Sequence, residues 1–345
     1  MKKVDNVRDQ WALCNSGIEG SVKNADKSVM DIDINAKDMW NLQRRRGNDN
    51  EIVIAIIDSE IDFSVEELKS SRWINEEEKP NNNIDDDKNG YVDDTYGWDF
   101  VNDKPLPEKV EGKEDVCHGT AIAGIIAGEA DNKGITGVAA YTNKKIMPVK
   151  ILSNTLSDVV GSTEDLIAAI KYAECQGAKI CNLSLGTDKY SSDLKKVMEE
   201  SAMLFVTSSG NCQGPLRRNI DKKPYYPASF KLKNMITVGS IMRTGEISSF
   251  CNCGKDTVDI FAPGEDILVI NRNNHLSCES GTSLAAPFVT GTAACIISIV
   301  DVAPEDTKKI ICETATIKGN LTEKCRTGGF LNAYEAIRKA LQLLY

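Results

Sequence analysis

Short runs of consecutive apolar residues recur along the chain at IVIAII (Ile52–Ile57), KIMPVK (Lys145–Lys150), KICNLSL (Lys179–Leu185), LFVTSS (Leu204–Ser209) and MITVGS (Met235–Ser240). Apolar runs of this length without polar alternation predict strands buried on both faces. Between them lie helical patterns. STEDLIAAIKYAECQG (Ser162–Gly177) opens with a serine followed three residues later by an acid, the spacing of a capping box, and stops at a glycine. SDLKKVMEESAM (Ser192–Met203) reads as a second amphipathic helix. This alternation predicts an α/β fold, a mostly parallel central sheet with helices on both faces. On such sheets ligands sit beyond the carboxyl ends of the strands, which places Asp58 and the segment after Leu183 near a site. Two stretches differ from the rest: IAGIIAG (Ile122–Gly128) and LAAPFVTGTAACIISIV (Leu284–Val300) carry no charge and are apolar on all sides. That is the pattern of helices buried in the middle of a domain.

Composition narrows the class. A chain of 345 residues with 41 % hydrophobic content can bury a sizeable core. No repeat or low-complexity linker marks a boundary, so 1–345 reads as one domain with a polar lead-in over about 1–49. A formal charge of -10 disfavours a nucleic-acid partner and would attract cationic peptides or metal ions. The N-terminus lacks the apolar core of a signal peptide, and no later stretch reaches the length of a membrane span, so no membrane partner is expected. Eleven cysteines without C-x-x-C spacing predict free thiols and a cytoplasmic protein. A secreted protein trimmed of its export signal would read the same way, and Cys251-x-Cys253 leaves pairing or metal binding open.

Candidate chemistry sits where these elements begin and end. His118 is one of two histidines, in DVCHGTAIAGIIAG, just before the first uncharged helix; the other, His275, lies in a polar loop. Ser283, in SGTSLAAP, precedes the second such helix, and Asp58 ends a strand. A serine hydroxyl needs a base within hydrogen-bond reach, usually an imidazole held in one tautomer by a buried carboxylate. A helix N-terminus also offers free backbone N–H groups to a developing oxyanion.

The stretches IIDSEID, CHGTAIAGIIAG, NLSLG, SSGN and SGTSLAAP, in that chain order, resemble the subtilisin family of serine peptidases. DQWALCNSGIEG with DIDINAKDMW resembles the start of the family's catalytic domain, and GGFLNAYEAI (Gly328–Ile337) its closing segment. The resemblance implies a subtilisin-like three-layer fold and an endopeptidase acting on a peptide or protein substrate. It makes Asp58 the orienting carboxylate, His118 the general acid/base, Ser283 the nucleophile and Asn211 the oxyanion-hole amide. By the same comparison Ser184, Leu185 and Gly186 form an edge that pairs with an extended substrate, and Ser208, Ser209 and Gly210 lie along the S1 pocket, which takes the P1 side chain on the acyl side of the cleaved bond. An α/β-hydrolase esterase is excluded by the absence of G-x-S-x-G around Ser283 and by the triad order.

Several residues depart from the family pattern. Glu60 stands where a glycine is usual; in a left-handed backbone it would cost on the order of 1 kcal/mol, and its charge would raise the pKa of His118. This suggests an alternative, a weak or inactive relative with a binding or regulatory role. Glu60 is also a candidate contact for a basic substrate residue. Ala121 and Phe288 replace histidines common in the motifs, and Cys117, Cys212 and Cys278 flank the motif residues as small, space-filling thiols. The acidic loop NNNIDDDKNGYVDD (Asn81–Asp94) offers oxygen donors at Asp85, Asp87, Asn89, Asp93 and Asp94, the start of a calcium-loop pattern, and similar insertions in the family are associated with calcium. A structural calcium is therefore the expected cofactor. No propeptide is evident before DQWALCNSG, which fits either unaided folding or a trimmed product. Restraint of a cytoplasmic peptidase would come from narrow specificity, such as leader removal from a peptide precursor.

Overall fold

The computed structural model describes residues 10–17, 28–46, 50–110, 117–131, 133–152, 161–212, 214 and 217–344. Residues 1–9, 18–27 and 47–49 of the lead-in, and 115–116 before the His118 motif, lie outside them. Strand β1 (Ile52–Asp58) takes the whole first run, and its side chains alternate between two cores. Ile52, Ile54 and Ile56 pack on one face of the sheet, Ala55 and Ile57 on the other. This two-sided burial is why the run shows no polar alternation.

Around β1 the described residues form a ten-stranded sheet. Its further strands are β2 (Trp98–Asp99), β3 (Lys104–Pro105), β4 (Lys144–Lys150), β5 (Ile180–Leu183), β6 (Leu204–Ser208), β7 (Met235–Ile241), β8 (Ile260–Pro263), β11 (Thr316–Ile317) and β12 (Gly329–Phe330). The order is β11-β12-β8-β7-β6-β5-β1-β4-β2-β3, parallel from β12 to β2 and antiparallel at its two ends. A separate hairpin pairs β9 (Ile267–Ile270) with β10 (Leu276–Glu279). Because β1 is flanked by β4 on one side and β5 on the other, the connections diverge there and open a crevice at the carboxyl ends of β1 and β5.

Helices cover both faces. α1 (Ala36–Arg46), α2 (His118–Ala127), α5 (Thr282–Ile299), α6 (Pro304–Glu313) and α7 (Ala333–Leu341) lie on the Ile54 face, and α3 (Thr163–Cys175) and α4 (Ser192–Glu200) on the Ala55 face. The capping box of α3 forms: Ser162 Oγ accepts from Asp165 N–H at 3.0 Å and Asp165 Oδ2 from Ser162 N–H at 2.8 Å. The lead-in joins the fold through Trp11, whose indole donates to Asp266 O at 3.1 Å, and Trp40, which donates to Val138 O at 2.8 Å. One expectation is corrected here. α5 is long and apolar enough by length and composition to cross a bilayer, but 89 % of it is buried inside the protein, as the central helix of the fold.

Candidate active site

Asp58 ends β1 and is fully buried. Its Oδ1 accepts from the Ser59 N–H at 2.7 Å, and His118 Nδ1 lies 2.8 Å from Oδ1 and 3.0 Å from Oδ2. His118 opens α2, and the next residue explains why the helix can start there. A Cβ on Gly119 would lie 2.7 Å from the Glu60 carbonyl oxygen and 2.8 Å from that of Ser59, so glycine is what lets the first turn press on the segment after Asp58. The Gly119 N–H donates to Ser59 Oγ at 3.0 Å, and the Asp62 N–H to Thr120 Oγ1 at 2.9 Å, which fixes that contact. Burial pushes the His118 imidazole toward its neutral form, but the charge and hydrogen bond of Asp58 outweigh it and hold the pKa above its ordinary value. With Nδ1–H turned to Asp58, Nε2 keeps its lone pair, and the side chain is 30 % exposed.

Ser283 is the second residue of α5 and the single residue of that helix that is not buried. Ser184 Oγ donates to the Ser283 carbonyl at 2.9 Å and accepts from Asn182 Nδ2 at 3.0 Å, tying the end of β5 to the start of α5. Asn211 Oδ1 accepts from both the N–H and Oγ1 of Thr282, at 3.0 and 2.9 Å, which leaves its Nδ2 as the outward donor. A Cβ on Gly281 would meet Ser283 Oγ at 2.8 Å and Asn211 Nδ2 at 3.6 Å, so hydroxyl and amide converge over one glycine. The chain thus brings Asp58 to His118, and Ser184, Asn211 and Ser283 to one another. Among the described residues no hydrogen bond links the His118 ring to Ser283.

The substrate-binding candidates flank these groups. Ser208 and Ser209 are buried at the end of β6, where Ser209 Oγ donates to Asn252 O at 3.0 Å and Asn252 Nδ2 to Ser209 O at 2.9 Å. Gly210 has φ +87°, a left-handed turn that sends the chain on to Asn211. Beyond β5, Leu185 and Gly186 line a cavity of about 330 Å3 together with Leu166, Leu194 and Tyr226.

The family model for subtilases matches residues 49–334. The chain belongs to the subtilase family. It is 33 % identical over 291 residues to the cell wall-associated protease of Bacillus subtilis (strain 168), an alignment covering 84 % of this chain and 27 % of that protein. It is 29 % identical over 308 residues to subtilisin-like protease 1 of Plasmodium berghei (strain Anka), covering 84 % and 50 %. The subtilase chain therefore spans half or less of the length of these two relatives. Among solved structures, the prenylagaramide maturation protease PagA superposes with a TM-score of 0.65 at 24 % identity, covering 89 % of this chain and 98 % of that one. The protease domain of PatA, in a serine-to-alanine mutant, gives 0.64 at 22 %, covering 86 % and 97 %. These likenesses show the shared three-layer fold.

Within this subtilase, Glu60 is not strained: its φ is not in the left-handed region. Its carboxylate lies 3.1 Å from Lys150 Nζ and 3.7 Å from Arg272 Nη2, and Lys150 also reaches Asp99 Oδ2 at 3.0 Å. Burial lowers the His118 pKa and the charge and hydrogen bond of Asp58 raise it. Glu60 therefore belongs to an internal charge network; the expected strain is absent, and the raised pKa of His118 has the Asp58 carboxylate as its cause. Lys150 and Arg272 are members that sequence reading missed. Ala121 and Phe288 are core residues. Of the flanking cysteines, Cys117 is buried with Sγ against the Glu60 carbonyl, Cys212 is half-buried, and Cys278 is exposed on β10, so space filling does not describe Cys278. None of the eleven cysteines, Cys251 and Cys253 included, is in a disulfide.

The acidic loop gathers a different set of carboxylates from the one its spacing suggested. Asp87 and Asp94 meet Glu78, each with an oxygen within 4.8 Å of the others. Asp85 instead accepts from the N–H groups of Asn89 and Gly90, at 3.0 and 2.9 Å, and Asp93 from those of Asn82 and Asn83, at 2.9 and 3.0 Å. Asn89 Nδ2 donates to Asp87 and Asp94, both at 2.9 Å, so it orients carboxylates. Burial raises the pKa of Glu78 and of Asp94. Asp87 is also raised by burial, but hydrogen bonds led by Asn75 and Gln176 outweigh this and lower it. Glu78 Oε1 accepts from the Asp86 N–H at 2.6 Å, while its buried Oε2 has no protein partner. Three clustered carboxylates with an orphaned buried oxygen fit a hard cation such as calcium.

Proposed function

We propose that this subtilase chain is a serine endopeptidase working through an acyl-enzyme, with Ser283 as nucleophile, His118 as general acid/base and Asp58 as the orienting carboxylate. The observation that carries the reading is the one polar opening in an otherwise buried helix. Ser283 is the sole unburied residue of α5, at its first turn, beside the outward amide of Asn211. In the proposed reaction Ser283 Oγ attacks the peptide carbonyl carbon while His118 Nε2 takes its proton. The resulting imidazolium is stabilised by Asp58, whose attraction already outweighs burial at that ring. The tetrahedral oxyanion accepts from Asn211 Nδ2 and the Ser283 N–H, aided by the N-terminal dipole of α5. His118 then returns the proton to the leaving amine, and a water, activated the same way, releases the acyl group.

The substrate runs extended along Ser184–Gly186, which continues β5 and offers backbone groups for strand addition. A specific peptide precursor is the proposed natural substrate, a reading supported by the name of PagA, a maturation protease. A calcium ion held by Glu78, Asp87 and Asp94 completes the proposal; when bound it would neutralise their charge and fix the acidic loop. The alternative of an inactive binding protein rested on Glu60 and the altered motif surroundings; the unstrained backbone and internal partners of Glu60 remove the first of these supports, and Ala121 and Phe288 are core residues. Incubation of the parent and Ser283→Ala with a peptide library, read by mass spectrometry, tests the reading. Cleavage by the parent and none by an equally folded Ser283→Ala is expected; equal cleavage by both would overturn it.

A further inference from the structure

Two glycines that end neighbouring strands face the same aromatic ring. Gly186 follows β5 and Gly210 follows β6. A Cβ on Gly186 would lie 2.4 Å from Tyr225 Cε1, and a Cβ on Gly210 would lie 2.5 Å from the same atom and 2.7 Å from Cδ1. One edge of the Tyr225 ring therefore occupies the gap between segments 184–186 and 208–210. That gap adjoins the proposed catalytic groups, since Ser184 Oγ donates to the Ser283 backbone carbonyl and Asn211 follows Gly210 directly, and it is bordered by segment 208–210, where the family resemblance puts the P1 side chain.

The ring is held in place from several directions. Tyr226 and Thr187 exchange backbone hydrogen bonds, both at 2.7 Å, pinning the tyrosine's chain neighbour to the substrate edge. The Tyr225 N–H donates to Ser229 Oγ at 3.0 Å. Arg218 lies over the ring, 5.3 Å from its centroid, and is itself fixed by Asp188 at 2.6 Å, by the Lys223 carbonyl at 2.9 Å and by the Pro224 carbonyl. Swinging Tyr225 out would break this stack, so the gap does not open for a bulky side chain without loss.

We infer that Tyr225 fills the P1 pocket and restricts cleavage to peptide bonds that follow a small residue such as glycine, alanine or serine. The inference rests on the peptidase reading above and names the substrate class of that site. An aromatic or long aliphatic P1 side chain would have to displace the ring, whereas a methyl or hydroxymethyl group needs little of the gap. The flanking glycines follow from the same packing: any side chain at 186 or 210 would collide with the tyrosine.

The test uses peptides identical except for alanine or phenylalanine at P1, with the parent, Tyr225→Gly, Tyr225→Ala and Tyr225→Phe, each rate normalised to fluorophosphonate labelling at Ser283. The parent is expected to cleave after alanine in preference to phenylalanine. Tyr225→Gly, and Tyr225→Ala should the glycine variant misfold, are expected to raise the phenylalanine-to-alanine ratio of kcat/KM on the order of 10- to 100-fold, the range set by burying an aromatic side chain. Tyr225→Phe keeps the ring and should keep the ratio low. A labelled parent that cleaves after phenylalanine as well as after alanine, or a ratio unmoved by opening the gap, would overturn this inference and leave the peptidase reading standing. Absence of labelling in the folded parent would overturn both.

Discussion

Replacing Asp58 with asparagine isolates the electrostatics of the proposed site. In the parent, His118 feels two opposed influences: burial, which lowers its pKa, and the fully buried Asp58 carboxylate at 2.8 and 3.0 Å, which raises it further than burial lowers it. The imidazole should therefore titrate above about 6.5, its ordinary value. In Asp58→Asn the burial influence stays and the charge goes, so the titration should fall below about 6.5. The same shift is a stability statement. Protonated His118 stabilises the parent fully below its unfolded-state pKa, and that contribution is lost as pH rises through the higher folded-state value; in the variant, whose folded-state pKa lies below the unfolded one, the dependence should reverse and stability should rise with pH. Asparagine can also donate to Nδ1 and leave the proton on Nε2, the wrong tautomer for a base, so peptidase activity near neutral pH should drop about 10⁴-fold. Since the chain has two histidines, ring-nitrogen NMR titration with His275→Gln for assignment resolves His118 directly. A parent His118 that titrates below its ordinary value, or a midpoint unchanged in Asp58→Asn, would refute the reasoning.

Three other outcomes are expected. Asn211→Ala should lower kcat by about 10²–10³ with little change in KM, since the amide acts on the oxyanion; a loss confined to KM would count against that role. Gly119→Ala drives a Cβ into two backbone carbonyls, so the first turn of α2 must retreat from Asp58, and we expect both a lower urea midpoint, by roughly 1–3 kcal/mol, and at least a tenfold loss of kcat/KM. Calcium at about a hundred times its Kd should stabilise the fold by about 2.7 kcal/mol, read as a higher Tm, and Glu78→Gln should abolish the rise. In calcium-free buffer the raised pKa values of Glu78 and Asp94 mean that the stability tied to them is lost as pH rises through their folded-state values, so Glu78→Gln should flatten that fall.

The strands and helices legible in the sequence are those with a continuous signal. IVIAII is apolar throughout because Ile54 and Ile56 meet one core while Ala55 and Ile57 meet the other, and α2 and α5 lack charge because neither has a face in water. β2, β3 and β8 to β12 went unread because strands of two to four residues carry too little periodicity alone, whereas β5, equally short, sits inside the longer run KICNLSL; α7 was visible through family resemblance alone. Asp58, His118 and Ser283 were singled out because each stands at an element boundary, within a motif that resembles the family's. Glu78, Lys150, Arg272 and Tyr225 were not, since their partners are set by tertiary packing: Lys150 reaches Glu60 across 90 residues of chain, and Tyr225 acquires meaning only between two glycines at the ends of separate strands. The calcium-loop spacing was misleading for a related reason. Asp85 and Asp93 close turns of their own loop, and the third carboxylate of the cluster comes from Glu78, before that loop begins.

The claim on which the account depends is that Ser283 is a nucleophile activated by His118. Intact mass with peptide mapping after exposure to a fluorophosphonate in calcium-containing buffer, on the parent, Ser283→Ala and His118→Ala, addresses it directly. The account predicts one label per folded parent molecule, at Ser283, and little or none in either variant; a folded parent that stays unlabelled, or labelling at Ser283 that persists undiminished in His118→Ala, would contradict it.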